Sequence, residues 1–333
     1  MSNGKLRVAV IGVSHWHLEL YLPALLRAPD VLVAGVSDAD PGIAQHIAAE
    51  IGCPWSADFR DLCFDIRPDL VFAFGRHCDM AAEGAFLARE GIPFVMEKPC
   101  GIDAAEVRGL AKLVAERALF AAVPFVWRQS GLVRLIQDLM VGEPLTYLSF
   151  RLIAGPPSRY PAAGCAWMLD PKQSGGGCTI NLACHFIDLF RALNGGHEKV
   201  DVSAAVMANA AFRLPVEDYS VLVLSSDDRR CLIETGYLYP AVSALFDMRF
   251  SLRADPHYIV ATDAETVEVS DLSGSRKVVS ALTTNVPHYA PFVADVLARF
   301  RAGDAPIANL NDMLAVMHVL DRAYELAGFR SPA

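Results

Sequence analysis

The N-terminal third of the chain alternates short apolar runs with amphipathic stretches, and this alternation restricts the fold more than any other feature. Strands joined through long helical crossovers lie parallel in one sheet, because a tight turn cannot connect a parallel pair. The sequence therefore predicts an α/β domain built on a doubly wound parallel sheet. The predicted strands are residues 6–11, 31–36, 70–74 and 94–96, and the predicted helices are residues 18–27, 41–51, 79–90 and 103–117.

Length and charge restrict the function class. The 333 residues are enough for two domains, each with its own core. Hydrophobic residues make up 53% of the chain and the net charge is -9, with no cluster of Lys and Arg, which argues against a nucleic-acid partner. No apolar run approaches the roughly 20 residues that span a bilayer, and the first strand is too short for a signal-peptide core. We therefore expect a globular protein with no membrane partner.

The eight cysteines are scattered, and no Cys-x-x-Cys pair occurs. A redox or metal motif is therefore not expected. Buried free thiols are usual in an intracellular chain of this size, and we expect a cytoplasmic protein without a metal centre.

The turn after the first strand is where a phosphate-binding glycine loop would lie. It reads Gly12-Val13-Ser14-His15-Trp16-His17, so only the first glycine of Gly-x-Gly-x-x-Gly is present. Ser14 replaces the glycine that lets the backbone approach a pyrophosphate, and His17 replaces the small residue that lets helix and strand pack. The loop is predicted to bind a dinucleotide through Gly12, Ser14, His15, Trp16 and His17. The alternatives are a nucleotide fold without its ligand, or a metal site, which two imidazoles alone leave incomplete.

The second strand ends in an acidic residue, Asp38, which lies 38 − 12 = 26 positions after Gly12. A carboxylate at this point can bind both ribose hydroxyls of NAD. No Lys or Arg occurs between Arg27 and Arg60, so no neighbour in the sequence is placed to hold a 2′-phosphate, and NAD is favoured over NADP. Asp38 and Asp40 could also simply cap the next helix.

The fourth predicted strand ends in the ionisable pair Glu97-Lys98, followed by Pro99. Ligands of open α/β sheets bind outside the carboxyl ends of the strands, so Lys98 can project into a cofactor crevice. The alternative is a solvated surface pair before a helix.

A second polar motif follows the glycine run at residues 175–177. On the predicted helix 179–193, Asn181, His185 and Asp188 occupy positions i, i+4 and i+7 and share one face. A single helical histidine is usually structural, but three polar residues in register favour a site.

These two motifs resemble the glucose-fructose oxidoreductase, inositol dehydrogenase and MocA-like (Gfo/Idh/MocA) family. The resemblance implies an N-terminal Rossmann domain and a C-terminal α+β domain with a large open, mostly antiparallel sheet. It also implies a nicotinamide-dependent oxidoreductase for a sugar, cyclitol or related polyol, with Lys98 near the reacting hydroxyl. The family's helix carries Asp-x-x-x-His, and Asn181 stands at the aspartate position, which leaves Lys98 and His185 as the catalytic candidates.

The resemblance implies further site residues. The segment 74–77 stands where the family has a Thr-Pro-Asn-His-like turn, and only the histidine matches. An aromatic residue beside an arginine, Trp127-Arg128, stands where the family's chain enters the second domain and suits a hydroxylated ligand. The equal alternative is Trp127 as a core residue and Arg128 as a surface charge. A Pro/Gly-rich loop at residues 154–171 follows. The cofactor candidates added here are Phe74, Gly75, His77, Glu97 and Lys98, and the substrate candidates are Trp127, Arg128, Tyr160, Trp167 and Asn181.

A domain boundary is expected near Pro124, which divides the chain into an NAD-binding domain at 1–124 and a substrate and oligomerisation domain at 125–333. The second domain is predicted to contain a helix at 130–141, a strand at 145–153, an antiparallel meander between 200 and 280, and helices at 287–301 and 309–328. By analogy with other open sheets, a homodimer or homotetramer is expected.

The predicted reaction is hydride transfer from a carbinol carbon to nicotinamide, with Lys98 taking the hydroxyl proton and His185 hydrogen-bonding the same oxygen. Two alternatives stay open. Some relatives retain NAD and cleave glycosides, and others bind cofactor or sugar as regulators without turnover.

Overall fold

A computed structural model describes residues 4–140, 145–196, 199–241, 246–261 and 263–329. Its first sheet has six parallel strands in the order β3-β2-β1-β4-β5-β6, so the predicted doubly wound sheet is confirmed. The strands are β1 (Leu6–Ile11), β2 (Val31–Ser37), β3 (Trp55–Ser56), β4 (Leu70–Ala73), β5 (Phe94–Met96) and β6 (Ala121–Ala122), and the helices are α1 (Leu18–Arg27), α2 (Pro41–Ile51), α3 (Phe59–Ile66), α4 (His77–Arg89) and α5 (Ala104–Glu116).

The crossover helices begin at side-chain caps that the sequence displays. Asp40 accepts hydrogen bonds from the N–H groups of Gly42 and Ile43 at 2.8 and 3.3 Å, and Pro41 occupies the first turn. Asp58 caps α3 in the same way, accepting from the Arg60 N–H at 2.8 Å. The sequence analysis missed α3 and β3. With only two residues at the sheet edge, β3 is too short to show an alternation of apolar and polar residues.

The chain divides into two compact units. The first contains the described residues up to 124 together with two later segments, 160–168 and 289–314, which the sequence-based division placed after its boundary. The later segment contributes α10 (Tyr289–Ala302) and a bridge between Ala122 and Asn309 that extends the sheet edge. Local patterns cannot reveal such a return of the chain, because it depends on contacts between residues far apart in sequence.

The second unit contains residues 125–159, 169–288 and 315–333. Its sheet has eight strands in the order β14-β13-β12-β11-β7-β10-β9-β8. Two antiparallel meanders flank β7, and β7 pairs with β10 in parallel, which the predicted single meander did not include. The strands are β7 (Leu145–Ile153), β8 (Asp201–Ala208), β9 (Tyr219–Ser226), β10 (Arg229–Gly236), β11 (Asp247–Ala254), β12 (His257–Ala261), β13 (Thr266–Ser270) and β14 (Arg276–Ser280).

Helices cover one face of this sheet. Phe150 of β7 stacks on Phe186 with ring centroids 5.1 Å apart, which anchors the helix that carries the polar motif. The remaining helices are α6 (Gly131–Leu139), α7 (Arg159–Ala162), α8 (Pro171–Ser174), α9 (Cys184–Leu193) and α11 (Leu310–Ala327). Most of α7 and the first turn of α11 belong to the first unit. The predicted helix at 130–141 corresponds to α6, and its last predicted residue lies outside the described residues, as do residues 242–245 of a predicted strand.

The other face of the eight-stranded sheet carries no buried residue along a row that crosses all eight strands. Strand pairing places the members of this row side by side, and Leu232 and Val278 within it are 36% and 67% exposed. The row consists of Val278, Glu268, Val260, Ser251, Ser149, Leu232, Val223 and Ala204.

Candidate active site

A cavity of about 800 Å³ opens where the strand order reverses between β1 and β4 in the first unit. The carboxyl ends of parallel strands form ligand crevices at such a point. The predicted cofactor residues Gly12, Ser14, His15, Asp38 and Phe74 all line the cavity. We refer to this cavity as the groove.

Gly12 is required by space and by backbone conformation. Its φ is +73°, and a Cβ on it would lie 2.0 Å from the carbonyl oxygen of Phe74. No side chain fits there, which explains why this glycine of the fingerprint is present. At the position of the second glycine, Ser14 donates its backbone N–H to Asp38 Oδ2 at 2.6 Å, which ties the loop to the end of β2.

His17 replaces the third glycine of the fingerprint, and it makes contacts that glycine cannot make. Its Nδ1 lies 3.0 Å from Glu97 Oε1, and its ring packs on Trp16 with centroids 4.0 Å apart. A small residue was expected at this helix start for close packing of helix and strand. The His17 imidazole instead connects the loop to the turn after β5.

His15 is neutral at the groove wall. Burial, together with the neighbouring His17, lowers the pKa of His15 well below its usual range, and the Lys98 ammonium lowers it further. Its Nδ1 accepts the backbone N–H of His17 at 3.1 Å, so the ring proton resides on Nε2. His15 can therefore offer a hydrogen-bond donor to a ligand.

The loop segment 160–168 belongs to the same unit as the groove. Trp167 lines the groove and packs edge-on against His77 at 4.9 Å, while buried Tyr160 packs edge-on against Trp16 at 5.5 Å. Two predicted substrate residues, Tyr160 and Trp167, thus lie beside predicted cofactor residues. Their proposed contact with substrate stays a prediction.

Asp38 is buried, and both of its carboxylate oxygens accept backbone N–H groups, from Ser14 at 2.6 Å and from Asp40 at 3.0 Å. The groove also holds Arg60 and Arg76, which are distant from Asp38 in the sequence. The sequence has no Lys or Arg close to Asp38, but the fold brings Arg60 and Arg76 into the same groove.

Gly75 and Phe74 form the groove wall at the end of β4. The Phe74 ring stacks on His15 at 5.9 Å and meets Tyr21 edge-on at 5.0 Å. Gly75 leaves room for Glu83, since a Cβ at position 75 would lie 3.0 Å from Glu83 Oε2. Arg76 belongs to the 74–77 segment that the sequence placed beside the cofactor, whereas the sequence analysis missed Arg60 and Glu83. Only the positions of Arg60 just after Asp58 and of Glu83 within α4 could have suggested them.

The turn after β5 is anchored by a buried carboxylate. Glu97 Oε1 accepts from Tyr21 Oη at 2.5 Å and contacts His17, while Oε2 accepts the Lys98 N–H at 3.0 Å. Burial alone would raise the pKa of Glu97, but the His17 imidazole and the Lys98 ammonium outweigh it and hold that pKa well below its usual range. Glu97 is therefore ionised, and Lys98, which is only 4% exposed, is held beside it. The alternative of a solvated surface pair is excluded.

The polar motif of the second unit lies on a π-helical turn, Thr179–Ala183, that continues into α9. A π-turn widens the helix locally and is frequent at functional sites. Asn181 is buried and donates from Nδ2 to Tyr237 Oη at 3.2 Å. His185 is buried against Trp127, with ring centroids 5.0 Å apart.

Arg128 and Trp127 are both fixed by this unit. Arg128 pairs with Asp188 through two contacts, at 2.9 Å from Nε and 2.5 Å from Nη2. Trp127 is 2% exposed and donates its indole N–H to the Thr283 carbonyl at 3.0 Å. Trp127 is therefore a core residue, whereas Arg128 is not a surface charge, since only 13% of its side chain is exposed. Direct substrate contact of both residues stays a prediction.

The glycine run before the π-turn is explained by close approach. A Cβ on Gly176 would lie 1.9 Å from Tyr324 Oη, and one on Gly177 would lie 2.1 Å from the Glu217 carbonyl oxygen. Buried Glu217 accepts through Oε1 from the N–H groups of Gly177 and Thr179, each at 2.9 Å, and from Tyr324 Oη at 2.6 Å. This carboxylate clamps the start of the helix that carries Asn181 and His185.

The described residues contain neither a candidate metal site nor a candidate membrane-spanning helix. No group of three His, Cys, Asp or Glu side chains that could hold a metal ion occurs among them. No helix in the described ranges is long and apolar enough to cross a membrane.

Two family models match the chain. Residues 6–125 match the oxidoreductase family with an NAD-binding Rossmann fold, and residues 132–255 match the GFO/IDH/MocA C-terminal domain. The chain belongs to the Gfo/Idh/MocA oxidoreductase family. As a member, it is an oxidoreductase of the NAD(P)-dependent dehydrogenase type, built on the NAD-binding fold that the sequence predicted.

Named relatives of this Gfo/Idh/MocA protein act on sugars or cyclitols. It is 31% identical over 194 residues to an Amycolatopsis mediterranei protein named as a UDP-kanosamine synthase oxidoreductase subunit, a match that covers 57% of this chain and 52% of that relative. It is 23% identical to the inositol 2-dehydrogenase of Rhizobium meliloti, with 92% of each chain covered. The structure of levoglucosan dehydrogenase with NADH and levoglucosan superposes with a TM-score of 0.84 at 16% identity, covering 98% of each chain, and shares the fold.

Proposed function

We propose that the protein is an NAD-dependent dehydrogenase that oxidises or forms a carbinol carbon of a sugar, cyclitol or related polyol. The observation that carries this proposal is the turn after β5, where buried Lys98 is held beside ionised Glu97 in the same unit as the groove. Sugars and cyclitols are also named in the relatives that this chain matches.

The groove fits a dinucleotide. It lies at the switch point of the sheet, it has the 800 Å³ volume of a sizeable ligand site, and Gly12 keeps its floor free of a side chain. Gly12, Ser14, His15, Asp38 and Trp167 would hold the cofactor there, and the nicotinamide, when bound, supplies the hydride acceptor or donor.

The chain's own residues handle the proton. Lys98 takes the proton of the substrate hydroxyl during oxidation and returns it during reduction. His185 hydrogen-bonds the hydroxyl oxygen, and Asn181, which carries no charge and is held by Tyr237, orients the substrate. Glu97, buried beneath Lys98, fixes the backbone of the turn and remains a carboxylate throughout.

A panel of sugars, cyclitols and alditols tests the proposal. We expect NADH formation, followed by absorbance, with at least one class of polyol and none with simple alcohols. Release of an aglycone from a glycoside without net NADH formation would favour a hydrolase that retains NAD. Absence of both reactions across the panel would contradict the proposed activity.

We expect NADH to bind more tightly than NADPH. The groove carries five carboxyl groups against two arginines. Each arginine is already engaged by an acid, Arg76 by Asp79 at 2.6 Å and Arg60 by Asp58 at 3.5 Å. A 2′-phosphate adds negative charge where charge is already in excess. Fluorescence titration of both nucleotides measures the difference, and equal or reversed affinity would remove the assigned role of Asp38.

We further propose that the protein assembles as a homodimer or homotetramer in the cytoplasm. The row across the eight-stranded sheet supports self-association through that face, since it leaves Leu232 and Val278 exposed on a face without buried residues along the row. All eight cysteines are free thiols, which suits a reducing compartment. A monomeric mass by light scattering would contradict the assembly.

A further inference from the structure

The groove contains an acid that the proposed reaction does not use. Glu83, on the inner side of α4, lines the groove near Asp38 and Asp79. Its Oε2 atom is fully enclosed, and no described residue forms a hydrogen bond with it. Both carboxyl oxygens lie against Gly75, within 3.0 and 3.2 Å of the position that a Cβ would take.

Ionisation of a carboxyl group is unfavourable when one of its oxygens is enclosed and accepts no hydrogen bond, as Oε2 of Glu83 is. Four charged groups face it. Asp79, on its own helix, and Asp38, at the end of β2, oppose its ionisation, while Arg60 of α3 and Arg76, just before α4, favour it. Both arginines are engaged by other acids, so their help is partial. The net effect of burial and these charges raises the pKa of Glu83 to about 8.

A dinucleotide makes ionisation of Glu83 still less favourable. Its pyrophosphate brings negative charge into the groove, and its bulk displaces the water that screens the remaining carboxylates. A neutral acid has no such conflict, and its O–H can donate to an acceptor atom of the ligand.

We propose that Glu83 is a cofactor-binding residue that must be uncharged for the dinucleotide to occupy the groove, so that NAD(H) binding above neutral pH is coupled to uptake of one proton by Glu83. This inference rests on the proposed use of NAD by the same groove. It adds a residue and a proton linkage that the fingerprint and Asp38 do not provide.

The direction of the pH effect follows from the protonation of the free protein. Below about pH 8 Glu83 is already neutral, so the Kd for NADH is constant there. Above that pH the free protein must first gain a proton, so Kd rises by up to about tenfold per pH unit. In Glu83→Gln the side chain is neutral at every pH, so this rise is expected to disappear.

The experiment measures the Kd of NADH by fluorescence between about pH 6.5 and pH 9.5 for the parent, Glu83→Gln and the control Glu116→Gln. Glu116 lies on α5 with 59% of its side chain exposed. We expect the parent and Glu116→Gln to lose affinity together at high pH, and Glu83→Gln to retain it. A flat parent profile, or an unchanged rise in Glu83→Gln, would overturn the inference.

A second measurement needs no variant. Calorimetric titration of the parent with NADH near pH 8.5, in two buffers of different ionisation enthalpy, reports the protons taken up on binding. We expect most of one proton per NADH, and none would overturn the inference even if Glu83→Gln failed to fold. If NADH bound at no pH, the proposed function itself would fail, whereas tight binding without proton uptake would refute only the role of Glu83.

Discussion

Lys98→Met is expected to lower kcat by about 10²- to 10⁴-fold, the usual effect of removing a positioned acid or base. The Kd for NADH should stay within a few-fold of the parent value, because Glu97 continues to be held by Tyr21 and His17 and keeps the turn in place. Methionine fills the space of the lysine stem without its ammonium. Steady-state rates with the best polyol, together with fluorescence titration of NADH, check both parts.

Lys112→Met is the matched control. Lys112 lies on α5 with 75% of its side chain exposed and forms only a long i,i+4 pair with Glu116, so its loss should leave kcat and Kd unchanged. If Lys98→Met kept the parent kcat, the assignment of Lys98 as base would be wrong. A large loss of NADH affinity in Lys98→Met would instead make Lys98 a cofactor-binding residue.

Gly177→Ala is expected to destabilise the second unit severely, by more than about 3 kcal/mol. The new Cβ would lie 2.1 Å from the backbone carbonyl oxygen of Glu217 and 3.0 Å from its carbonyl carbon, and backbone atoms cannot move aside as a side-chain end can. Relief would require the Gly177 N–H to leave Glu217 Oε1, which breaks the clamp on the π-turn. Denaturant unfolding followed by circular dichroism measures the loss.

Gly109→Ala provides the comparison for this substitution. Gly109 lies inside α5, and no atom lies within 4 Å of the position its Cβ would take. Alanine there should stabilise the protein by about 0.5 to 1 kcal/mol through helix propensity. If Gly177→Ala unfolded at the same denaturant concentration as the parent, the clamp would not hold the helix as described.

The first unit could be predicted from sequence in most of its elements, because their signals are local. Apolar runs and Asp caps lie within a few residues of the elements they define, so β1, α1 and α2 were placed at or near their observed bounds. The same locality explains the failures. β3 has two residues and no period, and the π-turn at Thr179–Ala183 depends on the clamp by Glu217 from outside the helix.

The sequence indicated the motif residues of the candidate site, but it could not indicate which distant residues hold them in place. The Glu97-Lys98-Pro99 motif indicated a lysine at the carboxyl end of a strand, and Lys98 lies in the turn after β5 with 4% of its surface exposed. Its support by Tyr21 could not be predicted, since Tyr21 is 76 residues from Glu97. The partner of Arg128 could not be predicted either, since Asp188, with which it pairs, is 60 residues away.

By itself the sequence determined the family motifs and most of the strand and helix order of the first unit, because periodicity and motif spacing are properties of neighbouring residues. Only the tertiary structure decided the charge of the groove, where Arg60, Arg76 and Glu83 join Asp38, and the reason for each glycine that a Cβ would block. Burial and electrostatics depend on distance in space, and the fold brings together residues that the chain keeps far apart.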